Sequence, residues 1–383
     1  MGKRKQGPAG PPPSTAEEFG TALLAATPGE AARLAPGLVL PAELAEAADR
    51  LGPQLTGRAC RGGWLPEDLH QAARRRLDEF AGSYLLDTLA AYAGQFTTVH
   101  PAWQEQLDAT GATRWWTTSE PHLPQWAAKH ILTPSEAVAA VIEAFGLLKT
   151  LPPVTVVLPA PGTTTERPVR PHVDGKKLSR VRALLAKAES STFPEEAEAL
   201  SAKAQELMTR HALDRVLLEA GGAAPDRPAA RRIWLDTPYT DAKSLLVHVV
   251  AKANRCRAVF DPRWDFVTLV GDEDDLDAVT LLTTSLLVQA TRAMITGPAG
   301  RSRTFRKSFL VSYATRIGER LEQATETTLA QAPDLLPVLA SHELKVQAAF
   351  TELFPEVVSK SVTIRSPDGW DAGREAADRA RLR

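Results

Sequence analysis

Cysteine is scarce: Cys60 and Cys256 stand alone and far apart, with no second Cys or His at the short spacing of a zinc ligand pair. A zinc ribbon and a disulfide framework are both excluded, and the expected state is two reduced thiols, as in cytosol. Net charge is also missing. A formal value of −1 gives no whole-molecule field to draw the chain onto nucleic acid or an anionic membrane, so any such binding must be local. No stretch approaches ~18 uninterrupted apolar residues, because residues 244–251 and 281–290 are broken by His, Lys, Thr or Gln. The basic start MGKRKQGPAGPPPS runs into Gly and Pro where an export signal needs an apolar core. The expectation is a soluble cytoplasmic protein with no membrane partner. The chain lacks H-E-x-x-H, G-x-S-x-G, a Walker loop and G-x-G-x-x-G, which removes the usual anchors for protease, hydrolase, NTPase and dinucleotide chemistry.

What is present is globular. With 383 residues, 44% hydrophobic and 24% charged, the chain exceeds one ordinary core and has ample apolar material for two or three. Residues 1–16, rich in Pro and Gly, read as a disordered tail. Residues 17–150 carry helical periodicity, over 42–51 and over 66–89 through Leu69, Ala72, Leu77, Phe80, Leu85 and Leu89. Thr133-Pro134-Ser135-Glu136 predicts a capped helix start before Val138–Leu148. Prolines crowd 151–175, which reads as a linker, although Val154–Leu158 has the composition of a short strand. From 231 to 332 the pattern changes. A short strand at 233–235, a helix at 242–254, a strand pair at 256–260 and 266–270, and two long helices at 273–294 and 308–330 predict a small α+β domain with an antiparallel hairpin. A C-terminal extension, 333–383, reads as a helix, a strand at 357–364 and a charged helix after Gly369. The expected fold class is mixed: a helical N-terminal domain, a helical hairpin, then the α+β domain.

That hairpin, 176–216, is the clearest pattern. Leu178, Val181, Leu184, Leu185 and Ala188 share one stripe of a first helix, with Lys177, Arg180 and Lys187 outside it. Thr192-Phe193-Pro194-Glu195 has the capping-box form, and Ala197, Leu200, Ala204, Leu207, Met208 and His211 line a second stripe. Forty residues rarely support such a face alone, so it requires a neighbouring domain to pack on. Lys177–Asp214, KLSRVRALLAKAESSTFPEEAEALSAKAQELMTRHALD, resembles the bacterial and phage family catalogued as domain of unknown function 2786, with Ala212 where many members have Gly. The α+β region, through Val267–Gly271, 272–278 and 303–321, is similar to a companion domain catalogued as 7168. The resemblance implies bacterial or mobile-element genomes and no activity.

Four groups of residues invite a chemical reading, and each has a structural one beside it. His211, with Glu198 or Glu195, fits a base or ligand, and equally a half-buried histidine at a helix C-terminus. Asp272, Asp274 and Asp275, with Glu273 and Asp277, fit a hard-cation site, but also the acidic first turn of a helix. Arg301, Arg303, Arg306 and Lys307 around Phe305 and Phe309 fit phosphate contacts with Phe305 stacking on a base, or a solvated helix start with both rings inward. Trp115-Trp116, with Trp103 and Trp126, fits a ligand pocket or an aromatic core. No cofactor is implied. The expectation is a non-catalytic binding module, with nucleic acid favoured over protein as partner. A metal-dependent hydrolase and an interaction scaffold are the alternatives.

Overall fold

The computed structural model describes residues 13–162, 183–184, 187, 203, 206–210, 228–296, 302–330, 336–357 and 366–380. It divides into two compact units, Met1–Val169 and Arg170–Arg383. The fold is alpha-rich, with one small antiparallel sheet in the second unit.

In the first unit the helices are α1 (Ala16–Ala25), α2 (Ala31–Leu34), α3 (Ala42–Arg61), α4 (Pro66–Arg76), α5 (Glu79–Ala93), α6 (Pro101–Thr110), α7 (His122–Lys129) and α8 (Pro134–Thr150). The tail predicted over 1–16 ends sooner: Ser14 and Thr15 already bond Glu18 in a capping box that starts α1, and 1–12 lie outside the described residues. At α8 the predicted box is present, with Thr133 N–H donating to Glu136 Oε2 at 2.8 Å and Glu136 N–H returning to Thr133 Oγ1 at 3.4 Å. The single pattern over 66–89 is two helices. Leu77 is extended, and Asp78 caps α5 by accepting from Ala81 N–H at 2.8 Å. Val154–Leu158 forms no strand. Leu44, Leu69, Leu85, Leu89, Val138, Val141 and Phe145, with the fully buried Trp64, Trp103 and Trp126, make the core. Each such side chain contributes roughly 1.5–3 kcal/mol through burial.

Helix α7 ends in backbone strain. Leu132 N–H donates to Ala127 O at 2.9 Å and Ile131 N–H to Ala128 O at 3.2 Å, the paired bonds of a Schellman turn. That turn puts Ile131 at φ 55°, the left-handed region that suits glycine and penalises a β-branched residue. Its side chain recovers little, being 92% exposed. Ile131→Gly is therefore expected to stabilise the unit by about 1 kcal/mol. The check is a higher urea midpoint at unchanged slope; a lower one would show that the isoleucine is not strained.

In the second unit β1 (Ala229–Trp234), β2 (Arg257–Asp261) and β3 (Phe266–Gly271) form a sheet of order β1-β3-β2, antiparallel throughout. Register pairs Ala229 with Gly271, Trp234 with Phe266, Arg257 with Val270 and Asp261 with Phe266. The predicted hairpin is β2-β3, and all six residues of the central β3 are buried. The helices are α9 (Thr240–Ala253), α10 (Glu273–Thr296), α11 (Arg303–Leu329), α12 (Leu336–Leu353) and α13 (Pro367–Asp378). Helix α11 begins five residues before the predicted Ser308, because Ser302 caps it by accepting from Phe305 N–H at 3.2 Å. Most of the strand predicted at 357–364 lies outside the described residues. By length and composition alone α10 passes as a membrane-crossing helix, yet its Leu276, Val279, Leu282, Leu286 and Ala290 sit in the core beside Leu246, Val250 and Ile317.

Most of the two-helix unit, with its Thr192 cap, lies outside the described residues. The described parts meet the α+β core: Met208 is a buried member of it, and Leu184 and Leu207 pack against it. Residues 206–210 are helical, with Arg210 paired to Glu206 at 2.6 Å on the outer side.

Candidate functional site

The basic stretch falls on the start of α11, and helical geometry divides it. Positions 305, 308 and 309 point inward, while 303 and 306 face solvent. Phe305 is 7% exposed and Phe309 3%, their rings stacked at 6.4 Å within the core. This corrects the expectation for Phe305, whose ring face is spent on the core and not offered to a base. Lys307 pairs with Asp241 of α9. Arg303 and Arg306 are exposed, and their side chains have no hydrogen bond or ion pair among the described residues. Arg301 lies outside them.

The acidic run opens α10, and its charges are taken up one by one. Asp272 carries the first helical carbonyl, accepting from Leu276 N–H at 2.8 Å, and its side chain meets His342 Nε2 of α12 at 2.8 Å. Both partners are about 95% buried, at 4% and 5% side-chain exposure. Asp275 pairs with Arg255 at 2.9 Å and Asp277 with Arg231 of β1, whereas Asp274 is exposed. These pairs fasten α10 to the sheet and to α12. Among the described residues no three His, Cys, Asp or Glu side chains converge as metal ligands. His211 and Glu198 lie outside the described residues.

A third constellation, in the first unit, went unread in the sequence apart from its two tryptophans. Asp87 of α5 is 8% exposed and accepts three bonds: His122 Nε2 at 2.7 Å, and Trp115 Nε1 at 3.1 and 3.0 Å to its two oxygens. The His122 ring packs against Tyr84, stacked at 5.3 Å, and against Trp116 at 4.2 Å. Its backbone N–H donates to Asp49 Oδ2 at 2.7 Å, and Lys129 Nζ stands 3.9 Å from the Trp115 ring centroid. Burial raises the Asp49 carboxyl above its ordinary range despite that backbone bond. Burial likewise holds the Tyr84 phenol well above its usual value, with Asp49 and Asp87 adding to the effect. The imidazole is thus fixed by a carboxylate and packed against two aromatic rings. The group acts as a clasp that binds the segment carrying Trp115 and Trp116 to α5, with Trp115 exposed and Trp116 half-buried where Trp64, Trp103 and Trp126 are buried. The dipeptide was the only signal; nothing near it in sequence points to Asp87.

Comparison with known proteins adds one segment. Neither the curated proteins nor the solved structures contain a match. Residues 176–215, the two-helix unit, match the family model described as Protein of unknown function (DUF2786).

Proposed function

We propose that the chain is a binding module whose second unit takes the phosphate backbone of a nucleic acid at the start of α11. The observation that carries this reading is the exposure of the Arg303 and Arg306 side chains without a partner among the described residues, while other cations of the unit are committed: Lys307 to Asp241, Arg255 to Asp275, Arg231 to Asp277. The positive end of the α11 dipole lies at the same place and adds to their field. With Phe305 in the core, the reading rests on phosphate contacts and carries no base stacking. Binding is then sequence-tolerant and salt-sensitive. A cytoplasmic location in a bacterial cell, and the likeness of residues 231–332 to the companion domain 7168, belong to the same proposal. The metal-dependent hydrolase alternative has less support, since using Asp272 or Asp275 as ligands means breaking their contacts with His342 and Arg255.

Fluorescence anisotropy with single- and double-stranded DNA and RNA, titrated against salt, tests the reading. Arg303→Ala with Arg306→Ala is expected to weaken binding uniformly across sequences and to flatten the slope of log K against log salt by about 2, roughly one unit per lost phosphate contact. Absence of binding at about 50 mM salt, or a slope the double variant leaves alone, removes the proposal.

A further inference from the structure

The basic face at the start of α11 holds a third cation besides the two arginines. Arg303, Arg306 and Lys307 stand at i, i+3 and i+4, neighbours on one side of a helix and spread over about 6 Å of its axis. Of the three, Lys307 alone has an ion-pair partner among the described residues, Asp241 in the first turn of α9. That pair is open to solvent on both sides, with 36% of the lysine side chain and 46% of the aspartate side chain exposed. An ion pair so placed is weak and screened by salt, so a competing anion displaces it at small cost. Asp241 divides its two oxygens between two tasks. Oδ1 accepts from Ala242 N–H at 2.9 Å, serving a helix whose N-cap, Tyr239, makes no side-chain bond, and Oδ2 meets Lys307. An amide oxygen can perform the first task; the second draws on the charge.

A phosphate oxyanion and the Asp241 carboxylate are the same kind of partner for an ammonium group. A free phosphate ion gains little by displacing a carboxylate that the fold holds in place. A strand differs. Once Arg303 and Arg306 hold one part of its backbone, the next phosphate reaches Lys307 as an intramolecular event, at high effective concentration. We infer that Asp241 is a built-in competitor of the phosphate backbone: it holds Lys307 in the free protein and yields it to a strand already anchored on Arg303 and Arg306. The inference rests on the phosphate reading of this site. Its consequence is selectivity for chains of linked phosphates over single ones, at some loss of affinity, because the third contact is offset by the pair it replaces. A second acid provides the comparison. Asp368, exposed in the first turn of α13, lies beside the α11 start, since its neighbour Gly369 packs on Phe305, and it pairs with no cation among the described residues. Asp368 adds to the local field and holds no cation in reserve.

Fluorescence anisotropy of the full chain with an oligothymidylate, titrated against salt, tests the inference. Asp241→Asn is expected to tighten binding about two- to fivefold, the range that loss of an exposed ion pair covers. It should also steepen the slope of log K against log salt by up to about 0.7, the value for one phosphate contact on a single strand. Asp241→Ser, whose hydroxyl also serves a helix start, is expected to do the same, and agreement of the two separates the lost charge from a disturbed α9. Lys307→Ala alone is expected to weaken binding by no more than about twofold, and to erase the gain when combined with Asp241→Asn. Asp368→Asn is expected to tighten binding by less than about 1.5-fold, with or without Lys307. Affinity unchanged in Asp241→Asn, a gain kept in full without Lys307, or an equal gain from Asp368→Asn overturns the inference and leaves the phosphate reading in place. Absence of wild-type binding at about 50 mM salt, or binding that Arg303→Ala with Arg306→Ala leaves unchanged, removes that reading and the inference with it.

Discussion

Substitution of Gly373 by valine is expected to release α13 from α11 and to cost the second unit at least about 3 kcal/mol, in the range of the severe packing defects. A Cβ placed on Gly373 would lie 2.3 Å from Phe309 O, 2.9 Å from its carbonyl carbon and 3.0 Å from its Cα. All three are backbone atoms of a helix, so no rotamer change relieves the overlap. Gly369, one turn earlier on the same face, stands in the same relation to Phe305, with its Cβ 2.5 Å from the carbonyl oxygen. Two glycines inside one short helix cost about 1 kcal/mol each in propensity, so α13 depends on this contact for its existence. What docks with it is considerable. Ala376, Ala377 and Ala380 enter the core, Ser366 N–H donates to Ser308 Oγ at 3.1 Å, and Arg320 gathers the last carbonyls of α13, bonding Ala377 O, Ala380 O at 2.8 Å and Asp378 O at 3.2 Å. The measurement is the urea midpoint together with amide exchange over 367–378. Loss of protection confined to those residues and to the facing turns of α11 is the expected result. An unchanged midpoint would mean that the helices separate without cost.

How much of this was legible in the sequence follows the range of the interaction involved. The α8 start was readable because the capping box is made by residues three apart, and the β2-β3 hairpin because its partners are joined by a short turn. The Asp78 and Ser302 caps were equally local but were obscured: the apolar pattern Leu69–Leu89 ran across Asp78, and the helix after Ser302 was expected to start only at Ser308, among the phenylalanines of 305–309. Periodicity shows which face is apolar and not where a helix begins. The strand predicted at Val154–Leu158 failed in the opposite direction. Its β-branched composition was right, but Val154 N–H donates to Gly62 O, at 2.8 Å, and Gly62 stands at a helix end and not in a strand.

For the candidate sites the limit was tertiary pairing. The acidic first turn of α10 was visible as such, but not that Asp272 meets His342, Asp275 meets Arg255 and Asp277 meets Arg231, since each partner comes from a different element. Those partners turn a run that looks like a cation trap into three separate fastenings. The basic stretch was half legible: Arg303 and Arg306 stand outside as a helix start requires, while the same periodicity carries Phe305 inward. Composition alone could not choose between these faces until the position of Ser302 as cap fixed the phase of the helix.

The clasp in the first unit carries the second large effect. Asp87→Ala removes the acceptor of three hydrogen bonds in a site where Asp87 and His122 are buried, leaving Trp115 Nε1–H and the His122 ring without their partner. Leaving a buried hydrogen-bonding group without its partner costs about 1–3 kcal/mol, and a loss of about 3 kcal/mol corresponds to a fall in Tm of roughly 6–12 °C for a unit of this size. Asp87→Asn is expected to cost less, because its amide oxygen still accepts from one of the two donors. The effect should reach the Trp115-Trp116 segment before it reaches the core. Thr117 and Gln125 hold the far end of that segment through two bonds of 3.1 Å, so release begins at the tryptophans and shows as a red shift of their emission below the unfolding transition. Repeating Asp87→Ala in a Trp115→Phe background closes a double-mutant cycle. A coupling of at least about 1 kcal/mol is expected for groups sharing one hydrogen-bond network. Strict additivity, with no change in emission, would mean that the carboxylate serves His122 alone and that the surface tryptophans are held by ring packing.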